Sequence, residues 1–114
     1  MLSDKERLEK IIATWKQLKT QIDANNITKD ALLFNQFFQW AVTTPLYNIG
    51  EHVYNLSNEL KEEYSDIAWT LVSGLRHRLV HDYDGINWSI IVEVIFNDMD
   101  DFIEKVKHIL SEID

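Results

Sequence analysis

The chain has no cysteine, and it has only one proline and three glycines among its 114 residues. The absence of cysteine excludes disulfide frameworks, thiolate metal sites and cysteine nucleophiles, and it fits a reducing compartment. Because β-sandwiches and barrels need many turns rich in glycine and proline, the scarcity of both residues argues against an all-β fold. We therefore expect an all-α protein.

Long apolar runs and an excess of basic residues are also missing. No run approaches the ~20 apolar residues of a membrane span, and the first residues lack the apolar core of a signal peptide, so we expect a cytoplasmic protein with no membrane partner. Eleven Lys and Arg stand against nineteen Asp and Glu, a formal net charge of −8. Long-range attraction to nucleic acid is therefore weak, and any RNA contact must be local.

Apolar residues recur at the three- and four-residue steps of amphipathic helices. A capping box at 3–6 opens a first helix over 4–23, whose core stripe is Leu8, Ile11, Trp15, Leu18 and Ile22. A second, aromatic-rich helix is predicted over 29–57, with a kink or short break near Thr43-Thr44 caused by Pro45. Its core stripe is Val42, Leu46, Ile49, Val53, Leu56 and Leu60.

Two further helices complete the predicted fold. Residues 58–65 form a charged connector, and a third helix follows over 66–81 with Ala68, Leu71, Val72, Leu75 and Leu79 toward the core. After a turn at 82–87, capped by Asn87, the last helix carries an unbroken seam of Trp88, Val92, Ile95, Met99, Phe102, Val106, Ile109 and Ile113. This pattern predicts an antiparallel up-and-down four-helix bundle forming one domain, 1–114.

The segment 74–83 holds two arginines, two histidines and a tyrosine, with no acid before Asp82. On a helix Arg76 shares a stripe with apolar residues, and a partly desolvated arginine needs an anion or a carboxylate. One interpretation pairs Arg76 and Arg78 with acids such as Glu51 or Asp82, while the histidines pack or sit exposed. The spacing alone leaves a purely structural ion-pair network and a functional site both open.

A metal site is a weaker interpretation of the same segment. His77 and His81 are four residues apart, so they share one helix face, but a third ligand would have to come from elsewhere. The chain has neither cysteine nor a His-Glu-x-x-His motif. We expect no metal and no cofactor.

The arrangement Arg76-x4-His81-x-Tyr83 resembles the signature of the HepT-like branch of the HEPN proteins, toxins paired with minimal nucleotidyltransferase antitoxins. The resemblance extends from about residue 34 to the C-terminus. It includes Ile49-Gly50-Glu51, Leu56-Ser57-Asn58-Glu59-Leu60, Ile67-Ala68-Trp69 and the turn leading to Trp88. Three positions depart from the family pattern: His77 stands where Asn is frequent, Asp98-Met99-Asp100 replaces Leu-Pro-Leu, and Gln39-Trp40 replaces a frequent arginine.

The resemblance implies a metal-independent RNase in which Arg76 stabilises phosphate charge and His81 is the general acid or base. His77 and Arg78 would help to hold the RNA. It further implies a homodimer with a composite site between protomers, neutralised when a cognate nucleotidyltransferase antitoxin of the MNT type transfers AMP to Tyr83. The chemistry agrees, because histidine titrates near neutrality and the fork of arginine suits phosphate oxygens.

Geometry and composition also favour a dimer. Residues five apart on a helix lie about 140° apart around its axis, so Arg76 and His81 of one chain do not converge. The second helix is rich in aromatic residues, and the pattern leaves Trp69 exposed. Together these side chains provide more apolar surface than one small core can bury. Two alternatives remain: a non-catalytic nucleotide- or substrate-binding subunit of a two-component nucleotidyltransferase, and a purely structural dimeric bundle.

Overall fold

Every regular element in the described part of the chain is helical. The computed structural model describes residues 1–80 and 85–113. Its elements are α1 (Asp4–Ala24), α2 (Lys29–Phe34), α3 (Gln36–Tyr54), α4 (Asn58–Glu63), α5 (Trp69–Val80), α6 (Trp88–Glu93), a π-helical segment (Val94–Asp98) and α7 (Met99–Glu112). The prediction of an all-α protein is confirmed for these residues. None of their helices combines the length and apolar character needed to cross a membrane.

The first helix forms as its sequence predicts. The Ser3 hydroxyl accepts a hydrogen bond from the Glu6 backbone N–H at 3.1 Å, and Glu6 Oε1 accepts one from the Ser3 N–H at 3.0 Å. Hydrogen bonds from the backbone and the side chain of Ser3 stabilise the ionised Glu6 carboxylate and lower its pKa. All five residues of the predicted core stripe are buried. The capping box and the helical spacing therefore located α1 correctly.

The second helical stretch breaks at a different place from the predicted one. The chain leaves the helical conformation at Asn35, which ends α2 and starts α3, and the helix then continues through Pro45. The Asn35 side chain accepts a hydrogen bond from the Phe38 N–H at 3.2 Å, and so caps α3. Gln39 Nε2 donates hydrogen bonds to two carbonyl oxygens at the end of α2, both at 3.0 Å. These carbonyls belong to the last turn of α2, whose carbonyls have no partner within the helix because of the break. The prediction of one bent helix was wrong.

The predicted connector at 58–65 contains the short helix α4. The Ser57 hydroxyl caps this helix by accepting from the Leu60 N–H at 3.2 Å. The Asp4 carboxylate in turn accepts hydrogen bonds from the Ser57 N–H at 2.9 Å and from its hydroxyl at 2.5 Å. These bonds fasten the start of α4 to the start of α1.

Trp69 is buried, with 6% of its surface exposed, so the expectation of an exposed indole was wrong. Its N–H donates to the Tyr64 carbonyl at 3.0 Å, and its ring meets Phe102 of α7 edge-on at 5.7 Å between centroids. The third helix begins at Trp69 rather than at residue 66, and the predicted core residues Ala68 and Leu71 are exposed.

The last helix begins at the predicted cap, where Asn87 Oδ1 accepts from the Ser89 N–H at 3.1 Å. It is interrupted by the π-helical segment, so the seam is not the unbroken heptad pattern that was predicted. The seam residues from Val92 to Ile109 are nevertheless buried, whereas Trp88 and Ile113 are half-buried.

The core of the protein lies between the long helices. Helix α3 packs against both α1 and α5, and α1 also packs against α7. Every residue that contributes a buried side chain in the described ranges is apolar. The helices are therefore held together by burial of their apolar faces, and charged groups remain at the surface.

Candidate functional site

A close approach of two helix backbones defines the region around Arg76. Gly50 of α3 is buried, and a Cβ at this position would lie 2.9 Å from the Arg76 backbone N and 3.2 Å from the Val72 carbonyl oxygen. Real Cβ atoms do not come this close to backbone atoms, so only glycine allows α3 and α5 to meet here. The contact fixes the point from which the Arg76 side chain leaves α5.

The Arg76 side chain lies against α3. Its guanidinium Cζ is 3.6 Å from the centroid of the Tyr54 ring, a cation–π contact, and Nη1 is 3.5 Å from Glu51 Oε1. The side chain is 28% exposed, so one side of it remains open to solvent. The interpretation that pairs Arg76 with Glu51 is confirmed, and the other acid offered as a partner, Asp82, lies outside the described residues.

Glu51 is itself held by residues of its own helix. The Tyr47 hydroxyl donates to Glu51 Oε2 at 3.1 Å, and Asn55 Nδ2 lies 3.4 Å from Oε1. The hydrogen bond and the charge of Glu51 raise the pKa of Tyr47, because ionising the phenol would place two anions together. Glu51 therefore presents a fixed carboxylate to Arg76, in the position that a phosphate oxygen can take.

A second cation lies over the same aromatic ring. Lys61 Nζ is 5.9 Å from the Tyr54 ring centroid and donates a hydrogen bond to the Tyr54 carbonyl oxygen at 3.0 Å. Partial burial lowers the pKa of Lys61, and the charge of Asp4 opposes this effect. Sequence reasoning missed both Tyr54 and Lys61. The available signal was on α3, where Tyr47, Glu51 and Tyr54 follow one another at steps of four and three along one face.

The other predicted site residues lie in different places. His77 and Arg78 are exposed near the end of α5, and on an ideal helix Arg78 lies about 160° around the axis from Arg76. Helix α5 by itself therefore does not bring Arg78 to the Glu51–Arg76 pair. His81 and Tyr83 lie outside the described residues. Within the described ranges no three His, Asp or Glu side chains are grouped as metal ligands.

An uncharged aromatic surface lies at the end of α2 and the start of α3. Residues 31–50 contain no charged side chain, although charged residues make up 26% of the chain. Three aromatic side chains in this stretch are strongly exposed: Phe34 at 84%, Phe37 at 72% and Trp40 at 66%. Trp40, Tyr47 and Tyr54 stand seven residues apart, which places them on one side of α3. Trp40 therefore lies on the same face of α3 as Tyr54, which contacts Arg76, about four turns nearer the start of the helix.

Comparison with known proteins identifies the family. Residues 4–109 match the family described as ribonuclease HepT-like. "Putative RNase TTE0752" of Caldanaerobacter subterraneus subsp. tengcongensis is 34% identical over 91 residues, 80% of this chain and 77% of the relative. "Putative RNase MJ0127" of Methanocaldococcus jannaschii is 33% identical over 100 residues, 87% of this chain and 83% of the relative.

A third relative carries the family name itself. "Probable ribonuclease HepT" of Thermococcus cleftensis is 30% identical over 61 residues, 54% of this chain and 56% of the relative. No solved structure is significantly similar to the chain. The match extends over nearly the whole length and includes the α3 and α5 residues that build the Arg76 site. The chain belongs to the ribonuclease HepT-like family.

Proposed function

We propose that this protein is a metal-independent endoribonuclease and the toxin of a cytoplasmic toxin–antitoxin pair. Membership of the ribonuclease HepT-like family and the names of the relatives support the reaction type. The observation that carries the proposal is the environment of Arg76, an arginine supported by an aromatic ring and a fixed carboxylate with one side open to solvent. This environment suits a group that binds a phosphate oxygen.

The proposed reaction needs no cofactor. The ribose 2′-oxygen attacks the adjacent phosphorus, a 2′,3′-cyclic phosphate forms, and the 5′-oxygen of the next nucleotide leaves. His81 takes the 2′-hydroxyl proton or returns a proton to the leaving oxygen, and Arg76 stabilises the negative charge that grows on the phosphate. His77 and Arg78 hold neighbouring phosphates. Glu51 keeps the guanidinium extended until RNA phosphate replaces it.

The active unit is a homodimer of two antiparallel four-helix bundles, each a single domain. A chain of net charge −8 repels its copy. The uncharged stretch 31–50 is therefore the surface on which two copies can associate with the smallest electrostatic repulsion. Its exposed aromatic side chains provide the apolar area that association requires. Because Trp40 lies on the same face of α3 as Tyr54, which contacts Arg76, such a dimer turns both Arg76 sites toward the side of the molecule where the two copies meet.

Control is exerted through Tyr83. A cognate nucleotidyltransferase of the MNT type transfers AMP from ATP to the Tyr83 hydroxyl and releases pyrophosphate. The added phosphate places negative charge beside Arg76 and Arg78 and competes with RNA for them. This step rests on the family resemblance of the motif, in which Tyr83 follows His81 by two residues.

Cleavage of labelled RNA tests the proposed activity. We expect the wild type to cleave RNA equally well with and without EDTA, and we expect Arg76→Ala and His81→Ala to abolish cleavage without changing the circular dichroism spectrum. Lys105→Ala, which removes an exposed cation of α7, is the matched control and retains activity. Inhibition by EDTA, or full activity of His81→Ala, would refute the mechanism.

A second experiment tests the antitoxin and separates the alternative function. After incubation with the cognate nucleotidyltransferase, ATP and Mg²⁺, mass spectrometry should find AMP on the peptide that contains Tyr83. Tyr83→Phe should remain toxic and resist neutralisation. A protein that binds nucleotide but never cleaves RNA would instead be the non-catalytic subunit of a two-component nucleotidyltransferase.

A further inference from the structure

Lys61 lies beside the Arg76 site, yet neither the sequence pattern nor the proposed reaction uses it. Arg76 Cζ and Lys61 Nζ lie over the same Tyr54 ring, at 3.6 and 5.9 Å from its centroid. The two cations therefore lie within 3.6 plus 5.9, or about 9.5 Å, of each other. They come from different helices, α4 and α5, and only the Tyr54 ring links them.

The two cations differ in their partners. Arg76 is paired with Glu51, whereas within the described ranges no carboxylate forms an ion pair with Lys61. The Lys61 ammonium is partly desolvated and donates a hydrogen bond to the neutral Tyr54 carbonyl oxygen, while the charge of Asp4 acts on it without forming an ion pair within the described ranges. An ammonium has three donors, so this bond leaves capacity for an anion. An unpaired cation of this kind gains more from a bound phosphate than a solvated surface lysine does.

We propose that Lys61 and Arg76 form a two-phosphate clamp across Tyr54, in which Arg76 takes the scissile phosphate and Lys61 a neighbouring phosphate of the same RNA strand. The axial rise of about 3.4 Å per nucleotide in duplex DNA is a lower bound on the distance between successive phosphates of a strand, so cations within about 9.5 Å of each other suit adjacent phosphates. The clamp rests on the proposed RNase function. It extends that function by making an oligonucleotide, rather than a single phosphodiester, the preferred substrate.

Tyr54 is the positioning residue of the clamp. Both cations lie within cation–π distance of its ring and are attracted to the electron-rich face. Helix α4 also carries the exposed acids Glu59, Glu62 and Glu63, which oppose long-range attraction of RNA, so Lys61 acts on a phosphate only at short distance. We expect the clamp to contribute to affinity and register along the strand, not to the chemical step.

The test compares Lys61→Gln, Lys61→Arg and the control Lys105→Gln. Affinity is measured by fluorescence anisotropy over a range of salt concentrations, with a single-stranded RNA in which every 2′-hydroxyl is methylated so that it cannot be cleaved. Loss of one phosphate contact lowers the slope of log K against log salt concentration by about 0.7 for a single strand. We expect this decrease in Lys61→Gln, an unchanged slope in Lys105→Gln, and a restored slope in Lys61→Arg.

Cleavage of two substrates supplies the second measurement. With an unmodified oligonucleotide, kcat/KM should fall about tenfold in Lys61→Gln, the effect of losing one charge-assisted hydrogen bond. With a dinucleoside monophosphate, which has only the scissile phosphate, kcat/KM should not change. An unchanged salt slope would overturn the clamp, and so would equal losses on both substrates, which would show that Lys61 acts on the fold around Arg76.

The two proposals can fail separately. If the wild type binds the methylated RNA with a slope that depends on Lys61 but cleaves neither substrate, the RNase function is refuted and the clamp remains as a binding site. If the wild type cleaves both substrates and Lys61→Gln behaves like Lys105→Gln, the clamp is refuted and the RNase function remains.

Discussion

Replacing Gly50 by alanine tests whether the close contact between α3 and α5 supports the Arg76 site. Alanine favours a helix over glycine by about 0.5–1 kcal/mol. A Cβ at position 50 would, however, meet two backbone atoms, at 2.9 and 3.2 Å, and these cannot rotate away as a side chain can. Overpacking of this kind costs about 1–3 kcal/mol. The net result should be a free energy of unfolding lowered by about 1 kcal/mol.

Gly74 offers the matched control. It lies in α5, and in the described part of the chain no atom beyond its neighbours and its own helix backbone comes within 4 Å of the position its Cβ would take, so Gly74→Ala should raise the free energy of unfolding by about 0.5–1 kcal/mol. Urea unfolding followed by circular dichroism, at one protein concentration, measures both variants. Gly50→Ala should also cleave RNA more slowly, since the added methyl group displaces the backbone of Arg76. If Gly50→Ala proves as stable as Gly74→Ala, the steric argument is refuted.

Three further predictions follow from other parts of the molecule. Burial and a neighbouring arginine hold the pKa of His52 below its ordinary 6.5, so the folded state binds fewer protons than the unfolded state and the free energy of unfolding falls as pH decreases from 6.5 through the folded pKa. His52→Gln should flatten this part of a curve of unfolding free energy against pH, and an equally steep curve would contradict the assignment. Asn35→Ala removes the cap of α3 and should lower the free energy of unfolding by about 1 kcal/mol in urea; an unchanged midpoint would show that the cap contributes nothing. Trp40→Ser should shift the protein from dimer to monomer in light scattering at micromolar concentration, and a wild type that is already monomeric would refute the dimer.

The apolar spacing predicted the core well, because burial on a helix follows directly from its period. The stripes of α1 and α3 are buried as predicted, although the second helix breaks at Asn35 and not near Pro45. The sequence pattern predicted a kink or short break only at Pro45. The Asn35 cap and the hydrogen bonds from Gln39 to two α2 carbonyls stabilise a break at Asn35 instead. Just before Pro45 the helix is continuous, and the Thr43 hydroxyl donates a hydrogen bond to the Gln39 carbonyl there.

The site was only partly predictable, because its contacts depend on distances between helices. The sequence indicated Arg76 and offered Glu51 as a partner, since an arginine on an apolar stripe needs a counter-charge. It did not indicate that Tyr54 would stack on the guanidinium, since this contact needs the backbone approach at Gly50. The burial of Trp69 was also missed because it depends on a contact between helices: Phe102 of α7 covers the indole ring, which the pattern of its own helix does not show.

Because of the π-helical segment Val94–Asp98, the apolar faces of α6 and α7 point in different directions around the axis of the last helix. A π turn accommodates one residue more than an α turn, and each residue of a helix advances by about 100°. The apolar side of α6 is therefore rotated relative to the position that an uninterrupted helix would give it, so that α6 packs against α2 while α7 packs against α1. Lys29 of α2 binds across the joint, with Nζ 3.3 Å from Asn97 Oδ1 and 3.8 Å from Glu93 Oε1. Deleting one residue of this segment would leave all apolar residues elsewhere in the chain unchanged. It would nevertheless rotate the apolar side of α6 away from α2.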